Sequence, residues 1–369
     1  MANSFLSVRD FARAALPRLM EHLVFPNLIH RDYSDDFAGK LGDTIRVRKP
    51  IVLTAHDFDP AVGVSEQDIE ECAVDVTLDR IATVDVGIEA LQGATCVGDV
   101  ERVFIEPAAA ALAKKINADG LQLYKDVPTF VGEAGKTPST LTILAEARKQ
   151  LNRQNVPVSG RVALWDAEAD AAFTALDAIV HAEKSGSTEG LREGSIGRVM
   201  GLDNFMSQSV CVHEAGSLTA SGAITVKTAV TDAETIVLTG TSLTGTVKQG
   251  DLLVIGDKKT RHTVLADAAA SGNAISVKVS PKITCAAGTT VQLIGSHTAN
   301  LAFHPMAFAF VTRPLPTPGG VESYTTHYNG ISLRVVRGYD MVHKKELLSM
   351  DVLYGFKTMY PELATRVLG

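Results

Sequence analysis

A glycine-rich stretch at residues 132–137, GEAGKT, is the part of the sequence that most suggests a chemical role. It resembles the end of the phosphate-binding loop of nucleotide-binding enzymes, in which consecutive backbone amides wrap the phosphates. That loop requires a glycine five positions before its Gly-Lys-Thr. This chain has Phe130 there, and Pro138 directly follows the threonine. We therefore predict a plain loop before a helix, with a nucleotide site as the weaker alternative.

The histidines, cysteines and serines form no catalytic or metal-binding motif. The ten histidines are scattered singly, and neither His213 with Glu214 nor His343 with Glu346 has a plausible third ligand nearby. The four cysteines lack metal-ligand and redox spacing, and no Gly-x-Ser-x-Gly elbow occurs. They are Cys72, Cys96, Cys211 and Cys285. The sequence therefore predicts no catalytic residue, no cofactor and no bound metal.

An acidic run lies between His56 and Glu71, with six acids and no lysine or arginine. The acids are Asp57, Asp59, Glu66, Asp68, Glu70 and Glu71. Their spacing lacks the alternating ligands and central glycine of a calcium loop. Because such a run repels itself, it is expected either to be fully solvated or to face a positively charged partner.

The overall composition is that of an ordinary globular protein. Of 369 residues, 46% are hydrophobic and 21% charged, which suits two or three domains with real cores. The net charge of −7 argues against a protein whose main task is to grip nucleic acid. Arg9 and Arg13 interrupt any signal-peptide pattern, and no apolar run reaches the ~20 residues of a membrane span. We expect a soluble protein made in a cytoplasm.

The first ninety residues have the pattern of two projecting arms. Residues 8–24 have a loose helical spacing of apolar side chains, broken at Pro17, in a basic segment. Residues 44–48, 73–78 and 82–86 alternate as strands, with the polar tract between the first two too long for a tight hairpin. They predict a long two-stranded arm that rests on another molecule, because an isolated pair is marginal in water.

The next segment alternates helices and strands. Residues 99–125 form the clearest predicted helix, and a second is predicted from Pro138 to about Gln154, with Thr137 as its cap. A strand at 162–165 and an Ala-rich helix from about 167 to 181 follow. This alternation predicts a mixed α/β domain.

Residues 213–297 differ from their surroundings, being rich in Thr, Gly, Ser and Val with short alternating runs between turn signals. They predict a small barrel or sandwich that interrupts the α/β domain, which resumes near residue 301. Strands at 330–336 and 346–353 close the chain.

This order of parts resembles the HK97 capsid fold, which tailed-phage shells and encapsulins share. The likeness is carried by residues 23–33, 42–47 (GDTIRV), 194–203 (GSIGRVMGLD), 300–304 (NLAFH) and 351–363. The inserted β-rich segment is similar to that of the coat protein of short-tailed Salmonella phages. The resemblance implies an α+β fold with six parts: an N-terminal arm (1–35), an E-loop (36–90), a P-domain with spine helix (91–135), a first A-domain part (136–212), an inserted all-β domain (213–297) and a closing segment (298–369).

The resemblance implies a major capsid protein and no enzyme. Copies of the chain would form pentameric and hexameric capsomers of an icosahedral shell, assembled in the host cytoplasm with scaffolding and portal proteins and with no membrane. The shell would enclose double-stranded DNA without specific binding. The alternatives are an encapsulin-type bacterial compartment and, from a different class, a nucleotide-binding enzyme with a β accessory domain.

Within that resemblance, the acidic run is expected to pair with cations of a neighbouring subunit. The candidate partners are Arg334, Arg337, Lys344, Lys345, Arg9, Arg13 and Arg18. Pro107 is a candidate hinge in the spine helix, because proline in a helix interior costs ~3 kcal/mol. A helix that simply starts at Pro107 is the alternative.

Overall fold

The computed structural model describes residues 8–31, 42, 44–48, 73–87, 105–186, 188–256, 260–328, 330–340 and 345–369. Contacts divide the chain into two compact units. Unit 1 comprises residues 1–17, 31–108 and 309–359, and unit 2 comprises residues 18–30, 109–308 and 360–369. The acidic run at 57–71 lies outside the described residues.

The secondary structure of the described part is mixed. The helices are α1 (Val8–His22), α2 (Glu106–Leu121), α3 (Leu141–Arg153), α4 (Ala167–Thr174), α5 (Asp177–Val180), α6 (Ala182–Ser185) and α7 (Glu189–Glu193). The strands are β1 (Thr44–Arg48), β2 (Ala73–Thr77), β3 (Arg80–Gly87), β4 (Phe130–Val131), β5 (Val162–Trp165), β6 (Arg198–Val199), β7 (Leu202–Met206), β8 (Val212–His213), β9 (Ile224–Val226), β10 (Val230–Thr239), β11 (Thr246–Val247), β12 (Leu252–Ile255), β13 (Thr260–Val264), β14 (Ala268–Ala269), β15 (Ala274–Cys285), β16 (Thr290–Leu293), β17 (His297–Phe303), β18 (Phe308–Arg313), β19 (Glu322–Tyr328), β20 (Ile331–Asp340), β21 (Lys345–Thr358) and β22 (Ala364–Leu368). In this part of the chain, no helix is long and apolar enough to cross a membrane.

The N-terminal helix differs from the prediction, because α1 continues through Pro17. Its apolar face is buried, including Phe11, Leu16 and Leu19. Burying a large apolar side chain contributes about 1.5–3 kcal/mol, so three of them outweigh the ~3 kcal/mol cost of an interior proline. Asn117 of α2 accepts hydrogen bonds at 3.2 Å from the amides of Val24 and Phe25 and donates to the His22 carbonyl at 3.0 Å.

The long sheet of unit 1 has five strands in the order β18-β21-β20-β19, with β3 also paired to β21. The pairing of β21 with β20 and with β3 is antiparallel, and Leu348 lies between Arg337 and Val86. On β18 and β21, Phe310 packs against Phe356 with ring centroids 4.8 Å apart. The predicted strands at 44–48 and 73–78 are present and pair with each other as β1 and β2.

The predicted helices that follow are present with altered ends. The described part of the first is α2, which passes into a 3-10 turn at Gln122–Asp126. The helix predicted from Pro138 begins three residues later at Leu141, with Thr140 in the N-cap position. The predicted Ala-rich helix is divided into α4 and α5, and Asp166 caps α4 through its side chain.

The main sheet of unit 2 has seven strands in the order β4-β22-β17-β5-β7-β6, with β8 also paired to β17. It is mixed, because β5 with β7 and β22 with β4 are parallel and the other pairs are antiparallel. Helices α3 and α4 cover an apolar core that includes Leu144, Trp165 and Phe173. The rings of Trp165 and Phe173 meet edge to face at 4.8 Å between centroids.

A closed barrel of six strands follows, in the order β10-β15-β13-β12-β16-β9. Alternate residues of its strands point inward, and Ile236, Leu238, Leu253, Ile275 and Val277 are buried in its interior. Closure removes the unpaired strand edges that an open sheet of this size would expose. The barrel belongs to the same unit as the seven-stranded sheet.

The chain enters and leaves the barrel region at one place. Strand β8 pairs with the start of β17, and His213 is the register partner of His297. The residues between these two positions therefore form an excursion whose ends lie side by side on the main sheet.

Candidate functional site

A buried polar network lies where the barrel meets the seven-stranded sheet of unit 2. Its members come from five separate parts of the chain. They are Tyr124 in the 3-10 turn after α2, His213 in β8, Asp251 before β12, Thr263 in β13 and Arg366 in β22. Each is at most 3% exposed.

Asp251 is the acceptor at the centre of this network. His213 donates to it from Nε2 at 2.8 Å, and the backbone amides of Lys248 and Gly216 donate at 2.8 and 3.1 Å. The hydroxyl of Tyr124 lies 2.9 Å from Nδ1 of the same imidazole. With its Nε2 proton directed at the carboxylate, His213 accepts a hydrogen bond from the tyrosine hydroxyl at Nδ1. Both ring nitrogens of His213 are therefore paired.

The order carboxylate, imidazole, hydroxyl matches that of a nucleophilic triad, but this one is closed to substrate. Burial raises the pKa of Tyr124 to about 12, and the nearby Arg366 cation only partly offsets that rise. An activated nucleophile needs a lowered pKa or an adjacent base, together with access to a substrate. The three side chains therefore link the barrel to the sheet through hydrogen bonds.

Arg366 forms the second part of the polar network between the barrel and the sheet. Its guanidinium is fully buried and donates to the carbonyls of Val127 at 2.9 Å, Gly250 at 2.7 Å and Lys125 at 3.1 Å, and to the Thr263 hydroxyl at 3.0 Å. Burial lowers its pKa to about 9, so it is still a cation at neutral pH. The charge is solvated by backbone dipoles from both sides of the junction, which is how a buried cation becomes tolerable.

Apolar contacts surround the network. Phe130, Leu252 and Leu368 form a small buried cluster between the sheet and the barrel, and the Arg261 guanidinium lies 4.7 Å from the centroid of the Phe130 ring. Gly250 has a φ of +95°, and a β-carbon there would lie 2.7 Å from Cγ of Lys125. The backbone approach at this point therefore requires glycine.

The loop at residues 132–137 is the plain loop that the sequence predicts. It follows β4 as a turn, the Gly135 amide is bonded to the Gly369 carbonyl at 3.1 Å, and Lys136 pairs with Glu133 at 3.7 Å. The next helix starts only at Leu141, whereas a phosphate-binding loop runs directly into its helix. Within the described ranges, no three His, Cys, Asp or Glu side chains are grouped to hold a metal ion.

Two of the predicted intersubunit cations, Arg334 and Arg18, form ion pairs within the chain. Arg334 is bonded within its own chain to Asp351, at 2.6 and 3.1 Å, and to the Pro316 carbonyl at 2.8 Å. These intrachain bonds do not test a contact of Arg334 with a neighbouring subunit, which stays a prediction. Arg18 pairs with Glu21 at 3.2 Å.

The other predicted cations lie as follows. Arg9 lies 5.9 Å from the centre of the Tyr324 ring, Arg13 is exposed, and Arg337 is half-buried on β20. Lys345 begins β21, its side chain is outside the described part, and Lys344 is outside it altogether. The acidic partners at 57–71 are outside it too, so this pairing stays a prediction.

Pro107 is the second residue of α2 as described. Residues 88–104 lie outside the described part. A hinge at Pro107 stays a prediction.

Known structures, but no sequence families, resemble this chain. No protein-family model matches it, and no curated protein matches it. A solved structure of Mycobacterium phage Che8 is 19% identical, with 94% of this chain and 90% of that chain covered and a TM-score of 0.54. The capsid structure of Cyanophage P-SCSP1u is 13% identical, with 94% and 88% covered and a TM-score of 0.50. The chain therefore has the fold of phage capsid structures.

Proposed function

We propose that the protein is the major capsid protein of a tailed bacteriophage, which self-assembles into an icosahedral shell around double-stranded DNA. The observation that carries the proposal is the likeness of fold to phage capsid structures over 94% of the chain. The buried and inaccessible polar network supports a structural rather than catalytic role. The virion is then its location, and scaffolding and portal proteins are its partners.

The proposal extends to an HK97-like organisation. The α2 helix suits the spine helix of the P-domain, and β1 with β2 suits the base of an E-loop. The seven-stranded sheet suits the A-domain. The barrel suits the inserted domain predicted at 213–297, because β8 and β17 bring its ends together. Kinship with the coat proteins of short-tailed Salmonella phages is part of the same proposal.

Electron microscopy of the purified full-length protein tests this function directly. We expect capsomers and closed icosahedral shells, alone or with co-expressed phage scaffolding protein. A chain that stays monomeric in both conditions, at all concentrations tested, would contradict the proposal. Shells that contain a host enzyme as cargo would identify an encapsulin-type compartment instead.

We also propose that the acidic run contributes to subunit contacts. The candidate partners are cations of a neighbouring subunit, namely Arg9, Arg13, Arg18, Arg334, Arg337, Lys344 and Lys345. Each exposed ion pair contributes only ~0–1 kcal/mol, but a shell repeats it at every interface.

Removing three charges of this run tests the contact. We expect Asp68→Asn, Glu70→Gln and Glu71→Gln together to slow assembly, measured by light scattering, with an unchanged circular dichroism spectrum of the monomer. The matched control removes three exposed acids elsewhere, which are Glu183, Glu193 and Glu234. Equal assembly of both variants, at low and high salt alike, would mean that the run is a solvated face.

A further inference from the structure

The exposed face of helix α3 carries a concentration of positive charge. Arg148, Lys149 and Arg153 are exposed there, together with Asn152. With Ala145 on the same helix and Met200 on a neighbouring loop, these side chains line an open cleft. The described residues that line the cleft thus include three cations and no carboxylate.

These cations lack ion-pair partners in the part of the chain that the structure describes. Arg148, Lys149 and Arg153 form no ion pair with any residue that the structure describes, although the chain as a whole carries seven more acids than bases. Further cations lie close by. Burial and then the charge of Arg148 lower the pKa of Arg161. Burial and then the charge of Arg153 lower the pKa of Arg261, and the carboxylate of Glu146 only partly offsets this. Such crowding of like charges is unfavourable unless an anion relieves it.

We propose that this cleft, which we call the α3 cleft, contacts the phosphate backbone of the double-stranded DNA enclosed by the shell. The inference rests on the proposed function for the presence of DNA. Lys149 and Arg153 are four residues apart and lie on one face of the helix, with a rise of about 6 Å between them. That is close to two base-pair steps along one strand, at ~3.4 Å each. Guanidinium groups and the Asn152 amide donate readily to phosphate oxygens.

The shape of the cleft favours a nucleic acid over an acidic protein segment. Protein partners are held mainly by large apolar anchors that fill pockets. The α3 cleft is open and offers only Ala145 and Met200 as apolar lining. Its positive charges suit a regular polyanion that needs no pocket.

The contact between one α3 cleft and DNA is weak, but a shell repeats it in every subunit. Three phosphate contacts predict a slope of about −2.7 in a plot of log K against log salt concentration. Such contacts are independent of DNA sequence. They hold the DNA against the shell without fixing its position, which is compatible with the net negative charge of the chain.

The test measures binding of the full-length unassembled protein to a short DNA duplex by fluorescence anisotropy, over a series of NaCl concentrations. The test variant carries Arg148→Gln, Lys149→Gln and Arg153→Gln. The control variant loses three exposed lysines elsewhere and so has the same net charge; these are Lys184, Lys227 and Lys278. We expect the test variant to lose about tenfold or more in affinity at low salt and most of the salt slope, with the control close to wild type.

Three results would overturn the inference. The first is wild-type DNA binding by the test variant, and the second is an equal loss in the control, which would show that only net charge matters. The third is tighter binding of a poly-glutamate peptide than of DNA, lost in the same variant, which would make the α3 cleft a site for an acidic protein. Shell assembly is scored separately by microscopy. Shells without cleft-dependent DNA binding refute this inference alone, whereas an absence of shells refutes the proposed function.

Discussion

Replacing Arg366 with methionine should loosen the junction between the barrel and the seven-stranded sheet. Methionine fills much of the space of the arginine stem but offers no donor. The carbonyls of Val127 and Gly250 would then lose the donor that the structure assigns them, whereas the Lys125 carbonyl keeps its 2.7 Å bond from the Thr263 hydroxyl.

The magnitude follows from the two carbonyls left without a donor. A buried polar group that loses its partner costs about 1–3 kcal/mol, so the variant should lose about 2–6 kcal/mol of unfolding free energy. Removing a buried charge offsets part of this cost, because the cation no longer has to be desolvated. We expect a net loss of about 3 kcal/mol, a large part of the 5–15 kcal/mol typical of a domain.

Urea unfolding followed by tryptophan fluorescence measures this loss. Trp165 is the single tryptophan and is fully buried in the seven-stranded sheet, so its emission reports on unit 2. The unfolding midpoint should fall by about 1–2 M urea. Arg366→Lys keeps a cation but not the planar guanidinium fork. Its unfolding midpoint should lie between those of the wild type and of Arg366→Met. Arg192→Met, at an exposed arginine, is the control and should not move it. A wild-type midpoint for Arg366→Met would refute the reasoning that these bonds fasten the barrel.

Three further predictions concern pH, backbone packing and covalent links. Burial lowers the pKa of His297 to about 4 from its ordinary 6.5, so only the unfolded chain binds this proton between those values. Stability should therefore fall by up to about 3 kcal/mol as pH drops through that window, and His297→Gln should abolish this part of the loss in urea titrations at pH 7 and pH 5. Gly216→Ala should lower the melting temperature, because its β-carbon would lie 2.2 Å from a backbone carbonyl oxygen, whereas Gly222→Ala, with open space around it, should not. Because no lysine lies between Lys49 and Lys114, the tip of the predicted β-arm has no amine for an isopeptide bond, and boiled particles should release one 39.2 kDa band rather than a ladder.

Local sequence patterns predict which helices and strands form better than they predict where each one begins and ends. Val162–Trp165 is predicted to the residue, because an apolar run between turn signals is typical of a buried strand. The sequence pattern predicts the start of α3 three residues too early, because Thr137 with Pro138 fits the rule for a helix start as well as Thr140 with Leu141 does. The continuation of α1 through Pro17 depends on buried contacts that no local rule includes.

The polar network could not be predicted from the sequence. Arg366 lies in β22, where Ala-Thr-Arg-Val-Leu resembles a strand with one exposed face, yet all five residues are buried. Its acceptors on Lys125, Val127, Gly250 and Thr263 are more than 100 residues away in sequence. Pairing over such distances depends on the whole topology. The cations of α3, in contrast, are visible in its helical pattern, which does not show whether an acid of another element pairs with them.

The side-by-side ends of the barrel segment make this chain suitable for carrying foreign domains. His213 and His297 are register partners, so their α-carbons lie about 5 Å apart. A passenger domain with equally close termini can be grafted there while β5, β7 and β17 keep their places, and each doubling of the inserted length costs only about 0.6 kcal/mol of loop entropy. The graft would remove Gly250 and Thr263, two of the groups that solvate Arg366. A display vector built on this chain therefore needs an apolar side chain in place of Arg366 as well, so that no cation is left buried without its acceptors.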